Sequence, residues 1–581
     1  MPPLSPRVPP DFVVDQPPPV DEPDILAQLE ALAASDAIPM DVEYPGDPAT
    51  LEEAMSGPFK AEWSASLSDE LKSIKDLGVY KLIPRSQVPA GRRILKGKPV
   101  FRLKRNEKGE PVRFKSRWCA KGFQQVYGLD YNRTSSPTMR MESFRVLLHI
   151  AASLGWEIEQ LDVKTAFLHG ILPEDEHLYM EQPKGFEEPG KESWIWELVR
   201  GIYGTKQGGR TWNDTLNEYM LSLGFTRLSC EHCIYYRKNA RGIVLTGVHV
   251  DDFLLTSSTA VAKEEFKAEL RRKWAIAELG DARFCIGIQI DRDRAKRTVA
   301  LSQTALIDKI IAEFRLDGMD CAPISTPMDA GLRLSRTQHC PKTQDEKDRA
   351  ARLPYRSLVG CLMYLAIGTR PDIALAVQQL SQFLDCYSLI HWDAAKRVVR
   401  YLKGTRAFRL ELGGPDAANL NGFADASHAG CYDTRRSVGG YCWNLGSGIV
   451  SWAARKQPTV STSTTEAEYI AAAESSKEAI WLRFLLDGIG FPQPVASLMR
   501  VDSTSAMSLS TDSTFHARVK HIDIKWHYLR EVVAAKRVAL QHVPGHLNVA
   551  DAFTKPLERK PFLTLRARMG LRPPSEEELV R

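Results

Sequence analysis

Along most of the chain the apolar positions follow either a helical spacing or strict alternation, and changes between the two outline the elements. Alternation through Val100, Phe101 and Leu103, and again through Val112, Phe114 and Trp118, flanks the Asn106–Pro111 stretch with its Lys-Gly-Glu-Pro turn. This predicts a β-hairpin. Apolar Ile158 and Leu161 lead to Asp162 at the end of a predicted strand, and Gly242–Ser257 holds two apolar runs on either side of Asp251 and Asp252. In Ala394–Leu410 the residues Lys396, Arg397, Arg400, Lys403 and Arg406 recur at helical spacing beside Val398, Val399, Leu402 and Phe408. After Gly413 short strands are predicted at Leu420–Ala424, Ser437–Asn444 and Ile449–Ala453, followed by an alanine-rich helix from Thr465 to Leu486.

Composition narrows the class. A chain of 581 residues, at roughly 150 residues per domain, suggests about four units. Hydrophobic residues at 43% and charged residues at 26% are ordinary globular usage, which excludes global disorder. Apolar stretches such as Val146–Ala152 and Ala479–Leu486 are too short to span a bilayer, and the proline-rich start lacks a secretory pattern, so neither span nor signal is expected. Ten cysteines are too sparse for a disulfide framework, and a reducing compartment is the default. Cys230 and Cys233 form a CxxC with no second pair at zinc spacing and read as two ordinary thiols.

The net charge of +5 conceals a strong asymmetry. Met1–Thr50 carries a net charge of −9, twelve of the 35 prolines and a single short apolar run, Ile25–Leu32, which predicts a largely disordered arm. Arg92–Lys121 carries +10, so the hairpin is either a solvated charged ribbon or a surface for a polyanion. The cations of Ala394–Leu410 leave the same two options open, a solvated face or a phosphate track.

Asp251 and Asp252 pose a sharper problem, because two like charges inside an apolar strand pair are costly to bury. Divalent metal is the natural compensation. With a third carboxylate such as Asp162 it makes a site in which two Mg²⁺ ions, about 3.5–4 Å apart, clamp an in-line phosphoryl displacement. At this point six ordered motifs carry a resemblance: Phe114–Gln124 (FKSRWCAKGFQ), Gln125–Pro137 (QVYGLDYNRTSSP), Asp162–Gly170 (DVKTAFLHG), Ile202–Trp212 (IYGTKQGGRTW), His249–Asp252 (HVDD) and Thr369–Ile373 (TRPDI). From about Asp47 to Pro556 the chain resembles the reverse transcriptase and ribonuclease H portion of a copia-type long-terminal-repeat retrotransposon Pol polyprotein.

The resemblance implies that Asp162, Asp251 and Asp252 are the polymerase metal ligands. It implies that Phe167 is a steric gate against a 2′-hydroxyl, that Gln207 lies near the incoming nucleotide, and that Arg117, Lys115 and Lys104 neutralise its triphosphate. Three positions depart from the family pattern: His249 stands where Tyr is usual, Gly208–Gly209 where Ala-Pro is common, and Ser135 where Phe is common. The resemblance further implies a nuclease domain with Asp425, Glu466, Asp502 and Asp551 as its four carboxylates around two Mg²⁺ ions, Mn²⁺ being an alternative. Glu468 lies about 200° around the helix from Glu466, so only one of the two can point inward, and Glu466 is taken. His546 is a candidate for moving protons or helping product leave.

The expected fold is α+β: polymerase fingers and palm with a helical thumb or connection, followed by an α/β ribonuclease H-like domain. The boundaries are an arm at 1–50, fingers and palm at 51–330, thumb or connection at 331–413, where the resemblance covers Tyr355–Thr405, the nuclease at 414–556 and a tail at 557–581. The resemblance implies an RNA-directed DNA polymerase that takes dNTPs and RNA or DNA template-primer, and a ribonuclease H that cleaves RNA–DNA hybrid. It implies no membrane partner, association with other retroelement polyprotein products, and cytoplasmic particles with nuclear entry. The rival is a decayed or host-adopted copy that binds nucleic acid without reacting. A strictly DNA-templated polymerase leaves the hybrid nuclease unexplained.

Overall fold

The computed structural model describes residues 47–105, 111–318, 321–415, 418–511 and 527–574. Nearly all of the arm expected at 1–50 lies outside them, as do the hairpin turn residues 106–110. Helices and sheets alternate irregularly along the chain, and antiparallel strand pairs dominate, an α+β arrangement.

Strands Gly97–Arg105 and Pro111–Ala120 form the basic hairpin, with Lys104 opposite Arg113, Arg102 opposite Lys115 and Val100 opposite Arg117. Alternation sends Phe101, Leu103, Phe114 and Trp118 to the other face, toward the helix Lys60–Asp76. There the Trp63 ring lies 5.1 Å from Phe101 and 4.8 Å from Phe114. The apolar face is thereby spent on packing, and the five cations Arg102, Lys104, Arg113, Lys115 and Arg117 share the opposite one.

The palm is a six-stranded sheet built around Glu157–Val163, Asp252–Ser257, Gly242–His249 and Ile234–Asn239, all paired antiparallel. Leu161, Val163, Phe253 and Leu255 join a core with the helices Gly208–Ser222 and Ala260–Lys273. Ile158 and Leu254, of opposite parity, join the core that contains the helix Met141–Leu154.

In the region expected as a nuclease, a five-stranded sheet runs Gly448–Lys456, Val438–Leu445, Leu420–Ser427, Ser497–Val501, Val538–His542. Its first three strands are antiparallel and the last two add in parallel. Helix Thr464–Gly488 covers one face, with Ala467 and Ala471 against Ala426.

The packing bears on four readings of the sequence. The C-terminal stretch expected as a tail at 557–581 is folded as far as it is described: helix Arg559–Arg568 and strand Leu571–Arg572. Phe562 is buried among the connection helices, while Leu565, Met569 and Leu571 enter the core shared by palm and nuclease. That strand closes a sheet with Arg409–Gly413 and Thr298–Ser302, so the expected boundaries at 330 and 413 do not separate independent cores. Four of the five cations at helical spacing in Ala394–Leu410 meet partners elsewhere in the protein. Arg397 donates to Thr326 Oγ1 at 3.1 Å, Arg400 to the Ala322 carbonyl at 2.8 Å and Lys403 to the Asp317 carbonyl at 3.0 Å, and Arg406 pairs with Asp308 at 2.7 Å. They fasten Asp308, Asp317, Ala322 and Thr326 to helix Leu389–Gly404 and the turn after it. Finally, one disulfide, Cys340–Cys386, is present, which the sparse cysteine pattern did not suggest. Among the described residues no helix is long and apolar enough to cross a membrane.

Two candidate active sites

The first carboxylate set sits where two neighbouring strands meet a tight turn. Register places Asp162 directly opposite Asp252, and Asp252 opposite His249 across the hairpin. Between them Val250 takes φ +60°, a left-handed conformation that costs a β-branched residue about 1–2 kcal/mol. Two hydrogen bonds hold the turn: Trp212 Nε1 donates to the Val250 carbonyl at 2.6 Å, and Val163 N–H donates to the Asp251 carbonyl at 3.1 Å. The strained turn thus presents Asp251 beside Asp162.

The electrostatics reflect crowding. Burial first, and then Asp251, push the Asp252 carboxyl up to about 6, although Gln160 Nε2 donates to it at 3.2 Å. Burial and Asp251 raise Asp162 in the same way, and Lys115 draws it back. Three half-buried carboxylates with mutual repulsion are the donor type a hard divalent ion takes, although their oxygens do not converge within 4.8 Å of one another.

The basic hairpin faces this set. Burial, then Arg117, lower the Lys115 ammonium, while Asp162 and Asp251 oppose that shift. Arg117 lies 5.2 Å from the centre of the Tyr203 ring, and Tyr203 in turn lies 5.5 Å from the half-buried Phe167 ring. Tyr203, which the sequence reading did not single out, therefore joins the expected gate to the expected triphosphate cations. Lys104 is exposed at the outer end of the same face.

Gln207 departs from its expected position. It is 1% exposed, its carbonyl accepts from Gln125 Nε2 at 2.9 Å, and its amide donates to the Asp130 carbonyl at 2.9 Å and to Glu176 at 3.0 Å. With its carbonyl and its amide group both committed to protein partners, it braces the loops that meet at the start of helix Gly208–Ser222 and does not offer itself to a nucleotide.

The second set is tighter. Asp425, Glu468 and Asp502 bring carboxylate oxygens within 4.8 Å of one another, which no other three such residues among those described achieve. Asp425 is fully buried near the end of Leu420–Ser427, accepts from Thr554 Oγ1, and receives Lys555 Nζ at 3.3 Å. Lys555 also reaches Asp551 at 3.0 Å, so Asp551 flanks the cluster through a shared cation. Burial, then Asp425, push Asp551 up to about 6 and raise Asp502. Burial, then Asp425 and Asp502, push Glu468 up to about 9. Such repulsion among buried acids fits divalent metal.

Glu468 therefore replaces Glu466 in the predicted quartet. Glu466 instead accepts from Thr462 N–H at 2.7 Å and Thr462 Oγ1 at 2.8 Å, while Ser463 Oγ caps its own N–H at 3.1 Å. It is the last residue of a Ser-x-x-Glu capping signature, Ser463–Glu466, and that signature was the available clue. His546 is exposed on a turn whose neighbour Gly545 lies against Asp502: a Cβ there would stand 3.3 Å from Asp502 Oδ2. His542, which the sequence reading passed over, acts electrostatically on Asp502 from the adjacent strand.

Residues 78–330 match the family described as reverse transcriptase (RNA-dependent DNA polymerase). Over 526 residues the chain is 39% identical to the retrovirus-related Pol polyprotein from transposon TNT 1-94 of Nicotiana tabacum, covering 90% of this chain and 39% of that one. It is 33% identical over 510 residues to the retrovirus-related Pol polyprotein from transposon RE2 of Arabidopsis thaliana, covering 88% and 34% respectively. It is 33% identical over 319 residues to a putative transposon Ty5-1 protein of Saccharomyces cerevisiae, covering 55% of this chain and 100% of that one. The chain spans 39% and 34% of the lengths of the two Pol polyproteins.

Proposed function

The chain belongs to the copia-type retrotransposon Pol polyprotein family of reverse transcriptases, and from that premise we propose that it extends a primer on RNA and then DNA and degrades the RNA strand of the hybrid. The observation that carries the reading is the register of Asp162 against Asp252, with Asp251 turned in beside them and Lys115 facing the group. Bound magnesium would supply the charge that makes a primer 3′-hydroxyl, or a water, nucleophilic and that steadies the leaving oxygen. Asp162, Asp251 and Asp252 would hold it in the polymerase; Asp425, Glu468, Asp502 and Asp551 would hold it in the nuclease.

The remaining work falls to side chains. Lys115 and Arg117 lie on one strand face and neutralise an incoming triphosphate through charge-assisted hydrogen bonds. Phe167, packed against Tyr203, offers a flat ring to the sugar and leaves no room for a 2′-hydroxyl. In the nuclease, Lys555 balances Asp425 and Asp551, whose carboxylates it would have to release for them to hold metal. His546 is exposed at the rim to exchange protons with water.

A homopolymer RNA template with a DNA primer, dNTP and Mg²⁺ tests the polymerase; a labelled RNA–DNA hybrid tests the nuclease. Wild type should extend and cleave, Asp251→Asn should lose extension alone, and Asp425→Asn should lose cleavage alone. If the wild type binds hybrid yet does neither, the chain is a binding module and this reading is wrong.

A further inference from the structure

We propose that the nuclease half carries a strand-holding groove beyond its carboxylate cluster, made by Arg500, Arg568 and Arg572 around Phe423, and that its occupant is the backbone of the RNA–DNA hybrid next to the scissile phosphate. The inference rests on the nuclease reading above and extends it to residues that reading does not use.

A cavity of about 560 Å³ opens on the nuclease sheet, with Asn421, Phe423, Asn444, Arg500, Arg568 and Arg572 among its lining. Parity fixes which face this is. Ala426 turns toward helix Thr464–Gly488, so Asn421, Phe423 and Asp425 project from the opposite side. Phe423 stands two residues before Asp425 on one strand, and Arg500 two before Asp502, which follows the end of the next. On a strand, two residues is one step along the same face, about 6.6 Å. The groove therefore lies one step back from Asp425 and Asp502 along two adjacent strands, with Val549 of the 3-10 helix Val549–Phe553, which also carries Asp551, on its wall.

Its chemistry selects an extended anion. The lining holds three arginines and no Asp or Glu. Arg500 stacks on the Phe423 ring at 5.4 Å, and among the described residues no carboxylate pairs with it. Arg568 is exposed and uses one nitrogen on the Leu547 carbonyl at 3.0 Å. Arg572 is 59% exposed, with Glu411 at 3.6 Å behind it. Planar guanidinium forks match phosphate, the amides of Asn421 and Asn444 match sugar hydroxyls, and the Phe423 face suits a base or a sugar. A larger cavity, about 650 Å³ beside helix Gly208–Ser222, sets Glu174, Asp175, Glu176, Asp214 and Glu218 against Arg133 and Arg210, and that acidic excess disfavours the same ligand.

The test is binding of a short labelled RNA–DNA hybrid to the full chain, read as log K against log salt, for wild type and for Arg500→Gln/Arg568→Gln/Arg572→Gln. Each lost phosphate contact removes about 0.9 from the slope for a duplex, so the triple variant should flatten it by about 2–3. Arg500→Lys, which keeps the charge, should retain most of the wild-type slope. Arg568→Gln alone, at an exposed position, should flatten the slope by about 1 with an unchanged Tm, which guards against misfolding of the triple variant. An unchanged slope in both glutamine variants, while wild type still cleaves hybrid, overturns the groove and spares the nuclease. Flattened slopes in the glutamine variants, with a wild type that never cleaves hybrid, support the groove and sink the nuclease. If polyglutamate binds with the same dependence on these arginines and displaces hybrid, the occupant is an acidic protein segment and the proposal fails.

Discussion

Replacing Glu468 by glutamine should have different consequences with and without magnesium, and Glu466 supplies the contrast. Without metal, burial, Asp425 and Asp502 hold the Glu468 carboxyl at about 9, above its unfolded value near 4.5. For a raised acid the sign is fixed: the stability that comes with the proton is complete below the unfolded value and is lost as pH rises through about 9. At pH 7, two pH units lower, Glu468 already carries its proton and resembles glutamine in shape and charge. The unfolded chain, by contrast, ionises that carboxyl above about 4.5, so at pH 7 wild type has lost about 3 kcal/mol that glutamine does not lose, and Glu468→Gln should raise metal-free stability by about that much. Magnesium requires the ionised form, which at pH 7 costs about 2.7 kcal/mol and costs little near pH 9, so wild-type affinity should rise about tenfold per pH unit across that range.

Glutamine cannot ionise. The variant should lose the metal-linked stabilisation, which is about 2.7 kcal/mol at a hundred times Kd. Glu466→Gln weakens a charged acceptor at a helix N-terminus, costing about 1 kcal/mol with or without metal, and should keep the magnesium response. The assay is the Tm against Mg²⁺ at pH 7, 8 and 9, in an Asp251→Asn/Asp252→Asn background that leaves only the second cluster to respond. A magnesium shift that survives Glu468→Gln but vanishes in Glu466→Gln, or one independent of pH, would refute the reasoning.

Asp252, held at about 6, must ionise to bind metal, so primer extension at fixed Mg²⁺ should fall as pH drops through about 6, measured as initial rate from pH 5 to 8. At Gly208 an added Cβ would stand 2.8 Å from Thr205 Oγ1 and 3.2 Å from the Phe167 ring, so Gly208→Ala should push that ring, and the ratio of dNTP to rNTP incorporation should shift severalfold. Gln207→Ala should leave buried partners at Gln125, Asp130 and Glu176 unsatisfied and lower stability by about 2–3 kcal/mol, seen as a lower Tm.

Sequence and structure parted for identifiable reasons. Alternation alone located the hairpin and sorted its cations from its aromatics, because one face had Lys60–Asp76 to pack on. Helical phase could say that Glu466 and Glu468 point apart; it could not say which one faces a partner, since that depends on where the Leu420–Ser427 strand lies beneath the helix. The cations of Ala394–Leu410 left two options open because the residues that meet them, Asp308, Asp317, Ala322 and Thr326, lie far away in sequence and, apart from Asp308, beyond the end of helix Thr304–Glu313. Gln207 was assigned by motif position, and its neighbours Asp130 and Glu176 come from loops far away in sequence. The end of the chain read as a tail because four well-spaced apolar residues, Phe562, Leu565, Met569 and Leu571, become a core only when the connection and the nuclease offer a seam.

That seam bears on how the two sites act together. Helix Met141–Leu154 shares a core with the palm sheet that holds Asp162 and with the nuclease strands and helix that hold Asp425 and Glu468. Within it Arg145 is 1% exposed; it donates to the carbonyls of Val450 at 2.7 Å, Ile367 at 2.6 Å and Gly368 at 3.0 Å, and its guanidinium stacks 3.9 Å from the Trp452 ring. Burial lowers it to about 10, so it stays charged at neutral pH. His149, one turn on, accepts from Gly413 N–H at 3.0 Å. A rigid helix pinned to both sides fixes the span between the sites, so RNA cut during synthesis should end at one preferred distance behind the growing primer. Arg145→Met would strand three buried carbonyls, costing about 3 kcal/mol or more, and should broaden that distribution before it abolishes either activity. End-mapping of RNA fragments during coupled synthesis measures it; an unchanged, sharp distribution in a folded Arg145→Met protein would mean the span is set by the nucleic acid and not by the protein frame.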